Sequence, residues 1–114
     1  MTDIFRGTGW GKEMIACCES GYIYLGYGWG KQLIGTYDNE SIFKGTGWSK
    51  EIVGFYTNNE IYKGYGWSKT LIGCYCDGKI YKGTGWGKTY IGMYLGDEAG
   101  VAAATLLLLI DEGK

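Results

Sequence analysis

The sequence predicts an all-β protein: five tandem 19-residue β-hairpin repeats, closed with pseudo-fivefold symmetry, plus a short apolar C-terminal helix or strand. Three observations carry that expectation. The five tryptophans, Trp10, Trp29, Trp48, Trp67 and Trp86, stand 19 residues apart in every case. Aligned on them, the copies run 4–22, 23–41, 42–60, 61–79 and 80–98 with no insertion or deletion, and a fixed period of this kind marks a repeat architecture. The 114 residues include 22 glycines and no proline, a composition suited to turns and close backbone approach and unfavourable to helix.

Each copy justifies two strands and two turns. In the fourth, Ile61-Tyr62-Lys63 is a short β-branched and aromatic run that meets the glycine-rich turn Gly64-Tyr65-Gly66-Trp67. A second run, Thr70 to Tyr75, ends near Asp77-Gly78, a strong hairpin turn signal. The matching turns are Glu19-Ser20-Gly21, Asp38-Asn39-Glu40 and Thr57-Asn58-Asn59. Five columns are invariant: Ile4, Ile23, Ile42, Ile61 and Ile80; both glycines of the G-x-G; the Trp; and Lys12, Lys31, Lys50, Lys69 and Lys88 two residues beyond it. About ten strands result, and they can close into a ring or stack as an open solenoid. An open stack exposes its end copies, which usually diverge; the absence of indels and of an atypical cap favours the ring.

Alternation along a strand assigns the faces. It puts Ile52, Gly54 and Tyr56 on one side and Val53 and Phe55 on the other. The invariant Ile42 column and the Val53 column are the core candidates. A hairpin centred on Gly47-Trp48 sets Lys44 opposite Glu51, and its counterpart sets Arg6 opposite Glu13.

The repeat domain, 4–98, gives way to the apolar tail 99–114. Ala99 to Ile110 reads as a helix apolar on every side, with Asp97 and Glu98 at its start and Gly113 at its end. Such a segment expects burial against the repeats. Its rival reading is a strand, Leu106 to Ile110, and its rival role a subunit contact. It is shorter than the ~20 residues that span a bilayer, which argues against membrane insertion.

No histidine is present. That removes the commonest general base and the Ser-His and Cys-His nucleophile pairs, so no catalytic residue is assigned and no enzymatic activity expected. Cys17, Cys18, Cys74 and Cys76 do not have a usual zinc spacing; they read as free thiols, with no metal and no cofactor. The N-terminus has no secretory pattern, and the cytoplasm is the expected compartment. A net charge of −1 argues against nucleic acid.

Charge is segregated within each copy. Arg6, Lys44, Lys63 and Lys82, with the Lys12 column, flank the G-x-G-W turn; Glu19, Asp38, Glu40, Glu60, Asp77, Asp97 and Glu98 gather at the other turn. A ring of copies with one polarity then has a basic rim and an acidic rim. The candidate ligand-binding residues are Trp10, Trp29, Trp48, Trp67 and Trp86 with Lys12, Lys31, Lys50, Lys69 and Lys88. They suit a glycan or an anionic ligand, with repetition supplying avidity. Opposite rims also suit a homo-oligomer or a protein partner. Equally, a Trp in every copy is what hairpin packing would use.

The unit I-[YF]-[KR]-G-x-G-W-[SG]-K-x-x-[IV]-G-x-Y, repeated and followed by an Ala/Leu-rich tail, resembles the bacterial β-flower repeat proteins over residues 4–110. That resemblance implies a closed ring of hairpin petals, no catalytic residues and no settled biochemical role. The reading that follows is a non-enzymatic repeat binding module, with multivalent glycan binding through the Trp/Lys turns as first choice. The alternative is a structural or interaction module that oligomerises through its tail.

Overall fold

The computed structural model describes residues 2–7, 9–45, 47, 50–64, 66–83 and 85–111. Ten antiparallel strands form one closed barrel in which each strand pairs with its neighbours in sequence. They are β1 (Thr2–Arg6), β2 (Glu13–Glu19), β3 (Tyr22–Leu25), β4 (Gln32–Asp38), β5 (Ser41–Lys44), β6 (Glu51–Thr57), β7 (Glu60–Lys63), β8 (Thr70–Cys76), β9 (Lys79–Lys82) and β10 (Thr89–Leu95). The ring closes where β1 meets β10, with Asp3 across from Leu95 and Arg6 across from Gly92. Closure leaves no sheet edge unpaired.

The two kinds of turn lie at opposite ends of the barrel. At one end the strands are joined by two residues, both with positive φ: Ser20-Gly21, Asn39-Glu40, Asn58-Asn59 and Asp77-Gly78. That is the type I′ turn, whose twist matches the strands it joins. At the other end lie the G-x-G-W turns. The first glycine of each donates its N–H to a carbonyl of the adjacent copy, as in Gly26 to Ile15 (2.7 Å), Gly45 to Ile34 (3.0 Å) and, across the closure, Gly7 to Ile91 (2.8 Å). Lys44 is across from Glu51 and Arg6 from Glu13, the register expected from the sequence.

Strict alternation fails once in every copy, at the same place. Ile42 faces Gly54 while Phe43 faces Ile52, so Val53 is an extra, unpaired residue. Ile15, Ile34, Ile72 and Ile91 are the corresponding bulges. A bulge turns two successive side chains away from simple alternation. Val53 therefore packs on the core beside Gly54 and Tyr56, and does not share the outer side with Phe55 as alternation alone would have it. The invariant isoleucines are fully buried.

The tail is neither a strand nor an outer layer. It forms α1 (Ala99–Ala104), which continues as a π-helix over Thr105–Asp111, and this rod fills the lumen. Val101 to Leu108 are 0–5% exposed. A ten-stranded barrel is wider than one whose own side chains can fill it, and glycine at the widest contact leaves room for the rod. A Cβ on Gly92 would sit 2.7 Å from Leu106; on Gly73, 2.6 Å from Leu107; on Gly54, 2.7 Å from Leu108; on Gly35, 3.2 Å from Leu109. Successive residues of the rod meet successive copies of the wall. An α-helix advances ~100° per residue, more than the fifth of a circle between copies. The looser i→i+5 winding of the π-helix brings the two steps closer together. These side chains are used inside the barrel, while Leu109 and Ile110 at the end of the rod are only partly buried. Gly113, read as the helix end, lies outside the described residues.

Candidate functional site

The tryptophan turns are built by glycine. In the first copy Gly7 and Gly9 have φ of +89° and +57°, which reverses the chain and lifts the short 3-10 turn Gly9–Gly11 off the end of β1. Trp10 occupies the middle of that turn. The second, fourth and fifth copies repeat it around Trp29, Trp67 and Trp86. All four indoles are about as exposed as a free side chain, at 104–106%. They take no part in the core, so tryptophan is not the packing repeat of this fold; the isoleucine column is. Trp48 lies outside the described residues.

The second candidate column follows directly on these turns, as at Lys12, Lys31, Lys69 and Lys88. Each of its ammonium groups lies over an aromatic ring on the barrel's outer wall. The pairs are Lys12 on Phe5 (5.2 Å), Lys31 on Tyr24 (4.4 Å), Lys50 on Phe43 (4.7 Å), Lys69 on Tyr62 (5.2 Å) and Lys88 on Tyr81 (4.6 Å). Exposed cation–π contacts of this type contribute ~0.5–1 kcal/mol each. The invariance of this lysine within the chain is thus accounted for by the wall. In the fourth copy Trp67, Lys69 and Gly66 still border a shared cleft of about 460 Å³.

Two further hollows open at the same end, around the exit of the rod. One is lined by Lys44, Glu51, Ile52, Val53, Lys63, Gly64, Leu108 and Leu109. The other, about 470 Å³, is lined by Arg6, Ile15, Leu25, Ile34, Lys44, Leu109 and Ile110. Sequence reasoning missed the second hollow. Its signal was present, however: the column Arg6, Leu25, Lys44, Lys63, Lys82 contains one residue that is not a cation.

The opposite end is packed. Gly100 lies against the ring of Tyr56 so closely that a Cβ there would overlap it. Tyr75 and Tyr94 meet edge to face at 6.2 Å, and the Glu98 amide donates to Thr2 Oγ1 at 2.9 Å. Burial first, and then the Glu98 carboxylate, pushes the Tyr56 phenol up to about 12 and the Cys18 thiol up to about 12. Both therefore stay protonated and unreactive at neutral pH. Cys17 and Cys18 are free and buried, and Cys76 is free and exposed. Among the described residues no group of three or more Cys, Asp or Glu could hold a metal, and no helix is long and apolar enough to cross a membrane.

Comparison with known proteins finds no match to a family model, a curated protein or a solved structure.

Proposed function

We propose that this chain is a non-enzymatic, multivalent binding module that engages glycans through its tryptophan turns. The observation that supports this is the placement of Trp10, Trp29, Trp67 and Trp86: one per copy, on the same turn, at the same end, fully exposed. Removing an indole from water is favourable, and a large aromatic left outside the core in every described copy has no structural return. An indole face suits the apolar face of a sugar ring, and its N–H can donate to a hydroxyl. Repetition about a rigid barrel turns weak single contacts into avidity.

The test is a glycan array read together with tryptophan emission. A binding glycan shifts the emission, and Trp29→Ala and Trp67→Ala each weaken binding to an immobilised polymer more than to its monomeric sugar. The exposure of these side chains predicts that both variants keep the wild-type stability to within ~0.5 kcal/mol, so loss of binding is separable from loss of fold. No emission shift with any glycan, or a shift only with phosphatidylcholine vesicles, would overturn the reading.

A further inference from the structure

We infer that the residue after each tryptophan is kept small as clearance for the ligand, and that the ligand is a β-linked glucan. Its flat rings lie across the indole and the bare backbone beside it. The inference rests on the glycan reading of these turns and goes beyond it, naming a specificity-determining position and a sugar class. The position is occupied by Gly11, Gly30, Ser49, Ser68 and Gly87. Nothing larger than a hydroxymethyl group stands there in any copy. Two residues before the tryptophan the chain carries Thr8, Tyr27, Thr46, Tyr65 and Thr84. These turns therefore accept bulk before the indole and exclude it after.

The fold itself does not ask for a small residue here. The second copy shows this most directly, since its whole turn from Gly26 to Lys31 is described. Gly28, before the indole, has φ of +65°, a left-handed conformation that favours glycine. Gly30, after it, does not have a left-handed backbone, and a Cβ built on it would meet no described atom within 4 Å. Ser68 takes the same place in the 3-10 turn of the fourth copy. Conformation and packing would thus accept larger side chains at Gly30. Glycine loses more chain entropy on folding than any other residue, so at an open position it weakens the barrel with no structural return. Close approach of a ligand to the backbone is the use that remains, and Trp29 beside it is fully exposed.

The turn offers little else to read. Its one charged side chain, Lys31, lies over the Tyr24 ring at 4.4 Å. No carboxylate or amide side chain occurs from Gly26 to Lys31; the first amide, Gln32, belongs to β4 and stands across from Leu25. Side chains that could choose among patterns of hydroxyls are therefore missing from the turn, and the shape of a sugar's face is what it can select. A glucose ring in a β-linked chain has every substituent equatorial and C–H groups on both faces, which suits stacking on an indole. An axial hydroxyl, as in mannose, stands up from one face and lifts it off the ring.

The test adds cellohexaose, or mannohexaose as its β-linked counterpart with an axial hydroxyl, to the intact chain and follows each indole N–H resonance separately. Cellohexaose should move the Trp29 resonance together with those of the other copies, and mannohexaose should bind more weakly. Gly30→Leu should lower the affinity read at Trp29 by about tenfold, the loss of one stacked contact. The Trp10, Trp67 and Trp86 resonances should respond as before. Gly30→Ser, which copies the fourth repeat, should keep the Trp29 response, and both variants should melt no lower than the wild type. A Trp29 response that Gly30→Leu leaves intact, or a melting temperature that it lowers, overturns the clearance role, since the glycine is then incidental or structural. Equal response to the two sugars, or none to cellohexaose where another glycan does bind, overturns the sugar class and leaves the glycan reading standing. Absence of a response to every glycan overturns that reading and this inference with it.

Discussion

The barrel's two ends are made from the same repeat and serve opposite purposes. At the I′-turn end four two-residue loops hold the strands together, the tyrosine column closes over the start of the rod, and Gly100 is pressed on Tyr56. At the other end the loops are longer, the indoles stand in solvent, and three hollows open around them. The difference separates a packed end from an open one, and the proposed binding surface lies on the open end. Stability is concentrated in the lumen and at the tight end, which leaves the tryptophan end free to vary without unfolding the barrel.

The largest expected effect comes from removing the rod. Val101, Leu106, Leu107 and Leu108 are each at most 5% exposed, and burying side chains of this size contributes about 1.5–3 kcal/mol apiece. Their combined contribution rivals the ~5–15 kcal/mol that holds a typical domain together. A chain ending at Glu98 should therefore lose cooperative thermal unfolding and its near-ultraviolet dichroism. If the truncated chain still melts sharply, the rod is an accessory and the lumen has another way to close.

Next comes the seam between rod and wall. The methyl group of Gly54→Ala would sit 2.7 Å from Leu108 Cδ1 and would also meet the Tyr62 carbonyl oxygen. Overpacking of this kind costs about 1–3 kcal/mol, visible as a lower urea midpoint at an unchanged slope. The first copy already has Ala16 in this column. An unaltered midpoint for Gly54→Ala would mean the Leu–Gly matching is looser than the distances indicate.

Much of this was legible from residue order. The 19-residue Trp spacing, the Asp77-Gly78 type of turn and the Lys44–Glu51 pairing gave the hairpins and their register, because turn chemistry and β-propensity are local. Closure was favoured by the lack of indels and is what the structure has. Three features could not be read locally. The bulge at Val53 depends on the partner strand, so alternation misplaced it. The route of the tail into the lumen depends on the width of a ten-stranded ring, which no single copy encodes. The exposure of Trp10, Trp29, Trp67 and Trp86 runs against the usual preference of large aromatics for burial, so composition alone did not reveal it.

Alkali should act on the tight end. The Cys18 thiol and the Tyr56 phenol are raised by burial, from 9.0 and 10.0 to about 12 in each case, and Tyr37 and Tyr75 shift the same way. The unfolded chain loses these protons first, so above its pKa values it binds fewer protons than the native state and stability falls as pH rises. The melting temperature should hold up to about pH 8.5 and then drop progressively toward pH 12. Cys18→Ala should remove the earliest part of that drop, while Trp67→Ala, at the far end, should leave the curve where it was. A melting temperature that stays flat to pH 11 would show that these groups reach water in the native state.

The smallest effect separates the two ends by sign. Glu40 is the second residue of its I′ turn at φ +68°, where Gly21 and Gly78 stand in other copies at +90° and +83°. A left-handed conformation costs a residue with a Cβ roughly 1–2 kcal/mol, against ~0.5–1 kcal/mol of extra unfolded-state freedom for glycine. Glu40→Gly should therefore stabilise the barrel by about 0.5–1 kcal/mol, whereas Trp67→Ala should change it by no more than ~0.5 kcal/mol in either direction. Urea titrations of the two variants in parallel give the comparison directly. If Trp67→Ala instead destabilises the barrel by ~1 kcal/mol or more, the indole is part of the fold after all, and the division between a packed end and an open end fails.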